Sequence, residues 1–293
     1  MTGASVRDAL GAAIEALAAA GVEEPRLDAE LLLAEASGRE RAALIADPHA
    51  ELPPAAGRAF GEMVRRRLRR EPVAYILGRK AFRHIELAVD PRVLIPSPET
   101  ELLVELALER APARVLDVGT GSGAIALAIA DELPGCEVTA TDTSAAALEV
   151  ARANAARLGL ADRVRFLEGS LPDGMDFDLI VANLPYVGEA ERPSLQPEVN
   201  RWEPPEALYA GPDGLDAYRA FVPQCGRAFR RYARKSSTAP VVLAVEVGEG
   251  QAPAVAELFR AAGFDEVEVR RDLAGIERVV GGCLPGTGEG SLG

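Results

Sequence analysis

Two short stretches of the 293-residue sequence carry residue types that could do chemistry. The first, Val115-Leu116-Asp117-Val118-Gly119-Thr120-Gly121-Ser122-Gly123, is an apolar run feeding a glycine-rich turn and then the apolar stretch Ala124 to Ala130. Glycines at 119, 121 and 123 permit backbone angles that other residues resist, and let a ligand come up against the main chain. Asp142 closes the next apolar run, Val138-Thr139-Ala140-Thr141-Asp142, where a carboxylate can accept hydrogen bonds from ribose hydroxyls. Strand, glycines, helix, strand and acid in this order predict a nucleoside-containing cofactor held by Gly119, Thr120, Gly121, Ser122, Gly123 and Asp142. A nicotinamide dinucleotide stays open, because Gly119-x-Gly121-x-x-Ala124 also satisfies the loosened dinucleotide fingerprint. The second stretch is Asn183-Leu184-Pro185-Tyr186, directly after the apolar run ending at Ala182. Asn and Pro are common turn residues, so a structural turn is one reading of it.

The other reading is a resemblance. Asp178-Leu179-Ile180-Val181-Ala182-Asn183-Leu184-Pro185-Tyr186 resembles the motif of class I S-adenosylmethionine-dependent methyltransferases that modify planar nitrogens, which usually reads Asn-Pro-Pro-Tyr. Such a nitrogen has its lone pair delocalised into a π-system and attacks a sulfonium methyl poorly. If the Asn183 side-chain oxygen and the Leu184 carbonyl accept its two N–H bonds, the nitrogen is held in line with the methyl and gains electron density as the transition state develops. Pro185 stiffens the loop and Tyr186 can pack on a flat substrate group. Leu184 departs from the usual proline, but Pro185 already biases residue 184 toward extended angles.

Nearly the whole chain is similar to the peptide chain release factor N5-glutamine methyltransferases (PrmC/HemK). The similarity runs through Arg26 to Leu33, Glu71 to Gly78, Val93 to Glu101, Asn183 to Tyr186, Arg201-Trp202-Glu203-Pro204, Gly211 to Arg219, Glu246 to Gln251 and Ala274 to Arg278. The resemblance implies S-adenosylmethionine as cofactor and, as substrate, the glutamine of the Gly-Gly-Gln loop of release factors. Asn183, Leu184, Pro185 and Tyr186 would hold the glutamine, with Asn183, Pro185 and Tyr186 as the catalytic set. Asn183 would also border the cofactor, and so would Leu171. Ser97-Pro98 stands where the family usually has Arg-Pro, Ser170 stands where an acid often lies near the adenine, and Arg230 to Thr238 replaces a Gly-Gly turn. Ser97 before Pro98 and Glu99 is a good helix start; the basic stretch at 230–238 reads as a solvated connection.

The elements that must position these residues follow from hydrophobic period. Up to residue 74 the pattern is helical. Ser5 to Asp8 resembles a capping box, Gly21 and Gly38 are stops, Leu27, Leu31 and Ala34 mark one apolar face, and Phe60, Met63, Val64 and Leu68 mark another. The run Arg65-Arg66-Arg67-Leu68-Arg69-Arg70 reads as a solvated helix face. Residues 75–94 suggest a connecting hairpin. From 95 to 281, strands at Arg114–Val118, Glu137–Thr141, Val164–Leu167, Phe177–Ala182, Val241–Val247, Glu266–Arg270 and Glu277–Val280 alternate with helices. This predicts an α/β, Rossmann-like fold with a mostly parallel seven-stranded sheet and a small all-helical domain before it, the helical part helping to dock the release factor. The residues after 281 read as a disordered tail.

Composition narrows the function. A 48% hydrophobic, 26% charged chain is ordinary for a globular protein. Residues 1–80 hold 12 basic and 12 acidic groups, so the whole net charge of −13 sits in the remainder, which argues against direct nucleic-acid binding. No apolar run reaches the ~20 residues of a membrane span, and the first residues do not resemble a secretory signal, so the expected location is the cytoplasm. Cys136, Cys225 and Cys283 form no C-x-x-C pair, and with only His49 and His84 they supply no metal motif. Glutamine methylation of a ribosomal protein, adenine N6 methylation of nucleic acid, and a non-catalytic nucleoside-binding role remain open at this point.

Overall fold

The computed structural model describes residues 5–172, 176–236 and 240–284. It divides into two compact units, one of residues 1–79 with Gln196–Trp202, the other of residues 80–195 and 203–293.

The first unit is helical: α1 (Val6–Ala19), α2 (Pro25–Ser37), α3 (Arg41–Ala46), α4 (Pro54–Leu68) and α5 (Val73–Leu77). Ser5 caps α1, its Oγ accepting the Asp8 amide at 3.2 Å and donating to the Asp8 carboxylate at 2.8 Å. Gly38 ends α2 in the left-handed region. The core gathers Val6, Leu17, Leu32, Leu33, Leu44, Phe60 and Val64. On α2 the buried residues are Asp28, Ala29, Glu30, Leu32 and Leu33 rather than the expected Leu27, Leu31 and Ala34, so two acids occupy buried positions.

Asp28 answers one member of the arginine run, which is not a solvated face. Only Arg65 and Arg69 are exposed. Arg66 grips Glu71 with two bonds. Arg67, 6% exposed, donates to Asp28 at 2.7 Å. Arg66 and Arg67 turn inward from the last turn of α4 while Arg65 turns out, and Arg70 lies past the helix end with φ +66°.

The second unit opens with a hairpin, β1 (Arg79–Phe82) and β2 (Ile85–Ala88). There follow α6 (Glu101–Arg110), β3 (Arg114–Val118), α7 (Ala124–Glu132), β4 (Glu137–Asp142), α8 (Ala145–Arg157), β5 (Val164–Glu168) and β6 (Leu179–Ala182). The chain then enters the helical unit for α9 (Pro197–Trp202) and returns for α10 (Asp216–Ser236), β7 (Val241–Glu246), α11 (Ala252–Ala261), β8 (Asp265–Arg271) and β9 (Glu277–Leu284). The seven strands are ordered β5-β4-β3-β6-β7-β9-β8, parallel except for the antiparallel pairings of β9 with β7 and β8. Strand β6 is buried throughout, as its unbroken apolar run requires.

Sequential strands run outward from β3 to β5 and then jump back to β6 on the other side of β3. The crevice outside the carboxyl ends of β3 and β6 is therefore a topological switch point, where such sheets bind ligands. Two expectations shift. Residues 230–236 continue α10 instead of forming a loop, while 237–239 lie outside the described residues. The last strand runs to Leu284, past the expected boundary at 281, and the rest of the expected tail, residues 285–293, lies outside the described residues.

Candidate active site

At the end of β3 the amides of Gly119 and Thr120 both donate to the Thr141 carbonyl at 2.9 Å, tying the glycine loop to the end of β4. Gly119 has φ +75°, and a Cβ there would stand 3.5 Å from the Asn183 carbonyl oxygen, so the loop's first residue faces the segment after β6. Gly123 serves a different need: a Cβ would meet Leu127 Cδ1 at 2.8 Å, so this glycine lets the turn close onto α7. Asp142 ends β4, and its two oxygens accept the amides of Gly121 at 2.9 Å and Ser144 at 2.8 Å. Each oxygen keeps acceptor capacity for a further donor. Behind the loop, buried Asp117 accepts from Thr120 Oγ1 at 2.6 Å and the Ala126 amide at 3.2 Å through one oxygen, while its Oδ1 has no partner among the described residues. Burial raises its pKa to about 7.

A cavity of about 220 Å³ lies against these loops. Gly119, Thr120, Gly121, Ser122 and Asp142 line it, and so do Asn183, Leu184 and Pro185, so both chemistry-bearing stretches meet at one crevice. Val93, Leu94, Ile125, Ala147 and Ala207 supply apolar wall, with Gly169 and Ser170 from the loop after β5. Three expected site residues do not line it. Gly123 is committed to packing, Leu171 packs on the sheet core, and Tyr186 packs on the same core with its hydroxyl 3.5 Å from Glu246 Oε1. Burial pushes the Tyr186 phenol well above its ordinary pKa.

The Asn183 loop is held from outside the cavity. Gln251 Nε2 donates to the Tyr186 carbonyl at 2.8 Å, and the Gly248 amide donates to Gln251 Oε1 at 3.0 Å. Gly214 packs so closely that a Cβ would strike the Tyr186 carbonyl oxygen at 2.1 Å. These contacts give structural meaning to the Gly211–Arg219 and Glu246–Gln251 stretches.

Sequence reasoning passed over Thr100, which is 3% exposed and lines the cavity. Asn183 Nδ2 donates to Thr100 Oγ1 at 3.0 Å, and Thr100 Oγ1 donates to Glu246 Oε2 at 2.6 Å. Glu246 is 1% exposed at the end of β7, and burial, with Glu99 nearby, raises its pKa to about 7. Ser97 does not start α6, which begins at Glu101; its Oγ accepts the Thr100 amide at 3.4 Å and lies 3.1 Å from Thr100 Oγ1. Glu203, raised to about 7 by burial, accepts the Ile95 amide at 3.1 Å and so ties the segment before α6 to Pro204, which also lines the cavity. The signals for Thr100 and Glu203 were the Val93–Glu101 and Arg201–Pro204 blocks themselves, which no local pattern explains.

Residues 8–78 match the PrmC N-terminal domain family, and residues 97–196 match the methyltransferase small domain family. A release factor glutamine methyltransferase of Moorella thermoacetica is 44% identical over 282 residues, spanning 94% of this chain and 96% of that protein. One of Geobacter sulfurreducens is 44% identical over 273 residues, spanning 92% and 93%. Among solved structures, the hMettl16 catalytic domain in complex with the MAT2A 3'UTR hairpin 6 shares the fold, with a TM-score of 0.52 and 16% identity over 67% of this chain and 75% of that one. With such identity along almost its full length, and with the glycine loop and the Asn-x-Pro-Tyr loop meeting at one crevice, the chain belongs to the release factor glutamine methyltransferase family.

Proposed function

We propose that this enzyme, acting in the cytoplasm, transfers a methyl group from S-adenosylmethionine to the side-chain amide nitrogen of the glutamine in the Gly-Gly-Gln loop of peptide chain release factors. The observation that carries this reading is the placement of Asn183, Leu184 and Pro185 on the same cavity as Gly119 to Ser122 and Asp142. The donor set fits the cofactor. Asp142 keeps free acceptor capacity for ribose hydroxyls, Gly119 takes the positive φ that lets the loop turn at the cavity, and the apolar wall suits a flat base. No helix among the described residues is long and apolar enough to cross a membrane.

When bound, the cofactor supplies an electrophilic methyl on a positively charged sulfur. The chain supplies position. Asn183 Oδ1 and the Leu184 carbonyl accept the two protons of the glutamine amide, so the nitrogen faces the glycine loop with its lone pair less committed to the carbonyl. Pro185 keeps Leu184 extended, and Tyr186, with its ring in the core, holds the loop from behind instead of covering the substrate.

Labelled S-adenosylmethionine, offered with a release factor, its Gly-Gly-Gln Gln→Ala form and ribosomal RNA, tests the reading. Label enters only the intact release factor; label on the RNA or on the Gln→Ala form overturns the assignment. Asn183→Ala lowers kcat by roughly 100- to 1,000-fold with cofactor affinity little changed. Lost cofactor affinity with normal turnover at saturation would place Asn183 in a different role.

A further inference from the structure

We infer that Thr100 is a positioning residue that fixes which end of the Asn183 carboxamide faces the substrate, through a proton-ordered chain running from Ser97 and Glu246. The inference rests on the proposed role of Asn183 and goes beyond it by identifying what sets that side chain's orientation.

A carboxamide is nearly symmetric in shape but opposite in hydrogen-bonding character at its two ends. Turned one way, Asn183 accepts a proton of the incoming amide; turned the other, its own NH₂ meets the substrate NH₂ and repels it. A threonine hydroxyl has one proton to give and two lone pairs. Thr100 Oγ1 gives its proton to Glu246 Oε2 at 2.6 Å, and above about pH 7, where this carboxyl is ionised, it can only accept. Both remaining sites of Thr100 Oγ1 are then acceptors. One takes Asn183 Nδ2 at 3.0 Å and the other the Ser97 hydroxyl at 3.1 Å. Every valence of the hydroxyl is used, and only the NH₂ end of Asn183 fits. Oδ1 is left as the outward end, on the cavity that Asn183 and Thr100 both line. Burial of Thr100 and Glu246, 3% and 1% exposed, keeps water from substituting in the link between them.

Thr100→Val keeps the shape and removes the chain's central link. Its kcat falls roughly two- to tenfold, about twofold where the carboxamide populates both orientations equally and more as the reversed one predominates, while cofactor affinity stays within about twofold. Thr100→Ser restores turnover, since the hydroxyl is what matters. An independent readout is hydrogen exchange of the Asn183 side-chain NH₂, assigned by its loss in Asn183→Ala: protected in the wild type and Thr100→Ser, unprotected in Thr100→Val. Wild-type kcat and wild-type protection in Thr100→Val, with Asn183→Ala still inactive, overturn the positioning role alone. Full activity of Asn183→Ala overturns the reading on which it rests. If Thr100→Val fails to fold, Thr100→Ala takes its place with the same expected loss and the same rescue by serine.

Discussion

In the helical unit, Asp28 and Glu198 are buried against two guanidinium groups, Arg67 and Arg70. In the sheet unit, Asp117 and Glu246 are buried more completely, and no described cation reaches either carboxylate within salt-bridge distance. The first arrangement is closed. Arg67 bridges Asp28 at 2.7 Å and Glu198 at 2.6 Å, and Arg70 holds Glu198 through both oxygens while reaching the Ala20 and Gly21 carbonyls. Two negative and two positive charges cancel, and the geometry pins the inserted segment Gln196–Trp202 within the helical unit. The second arrangement is open, its acids answered by neutral hydroxyls and amides. The contrast teaches that burial of charge serves architecture where a counter-ion completes it, and serves a site where hydrogen bonds are left to be directed at something else.

Breaking the closed cluster should give the largest effect on stability. Arg67→Met removes one cation and leaves Asp28 and part of Glu198 buried without a partner, at a cost of about 3–5 kcal/mol. Urea unfolding, with hydrogen exchange of amides in α2 and α4, measures it. A loss under about 1 kcal/mol would show the cluster to be as weak as an exposed ion pair.

The two regions should also respond to pH with opposite sign. Burial alone would raise the Glu198 carboxyl, but hydrogen bonds from Arg70 and Arg67 outweigh it and hold the pKa below the ordinary value. Its stabilisation is therefore present above an unfolded pKa near 4.5 and is lost as pH falls through the lower folded value. Glu246 behaves in reverse. Raised from 4.5 to about 7, it favours the folded state most below 4.5, and that advantage is lost as pH rises through about 7. The shift corresponds to about 3 kcal/mol. Glu246→Gln should consequently gain stability relative to the wild type by about that amount between pH 4.5 and 8. Thr100, Tyr186, Glu99 and Arg278 surround the carboxyl, and Tyr218 holds its main-chain carbonyl, so the titration is read as the difference between the two proteins. A pH-independent difference would mean that folding leaves the Glu246 pKa unshifted.

Legibility in the sequence followed the same divide. Strand β3, the glycine loop and Asp142 were readable because each shows itself within a few residues: an apolar run, a turn that needs glycine, an acid at a strand end. The buried face of α2 was not, because Asp28 interrupts its apolar period and becomes tolerable only beside Arg67, 39 residues later. The end of α10 was misread from its basic composition, although Tyr218, Phe221, Val222, Cys225 and Phe229 form a helical stripe leading up to it. Thr100 carries no spacing signal at all. Its role comes from the fold placing it beside Glu246, 146 residues away.

The smallest effects sharpen the comparison, because equivalent caps stand in each unit. Ser5 caps α1 and Ser144 caps α8, each accepting the amide three residues on at 3.2 Å. Replacing either by alanine removes the same hydrogen bond and should cost about 1 kcal/mol of stability. Their functional consequences should differ. Ser144 lines the cavity, and its own amide donates to Asp142, so loosening the first turn of α8 loosens the carboxylate assigned to the ribose. Ser144→Ala should therefore weaken cofactor binding by up to roughly fivefold, the equivalent of about 1 kcal/mol, whereas Ser5→Ala leaves it unchanged. Calorimetric titration of the cofactor into both variants measures the difference; equal affinities would mean that the amides of Gly121 and Ser144 hold Asp142 regardless of the cap on α8.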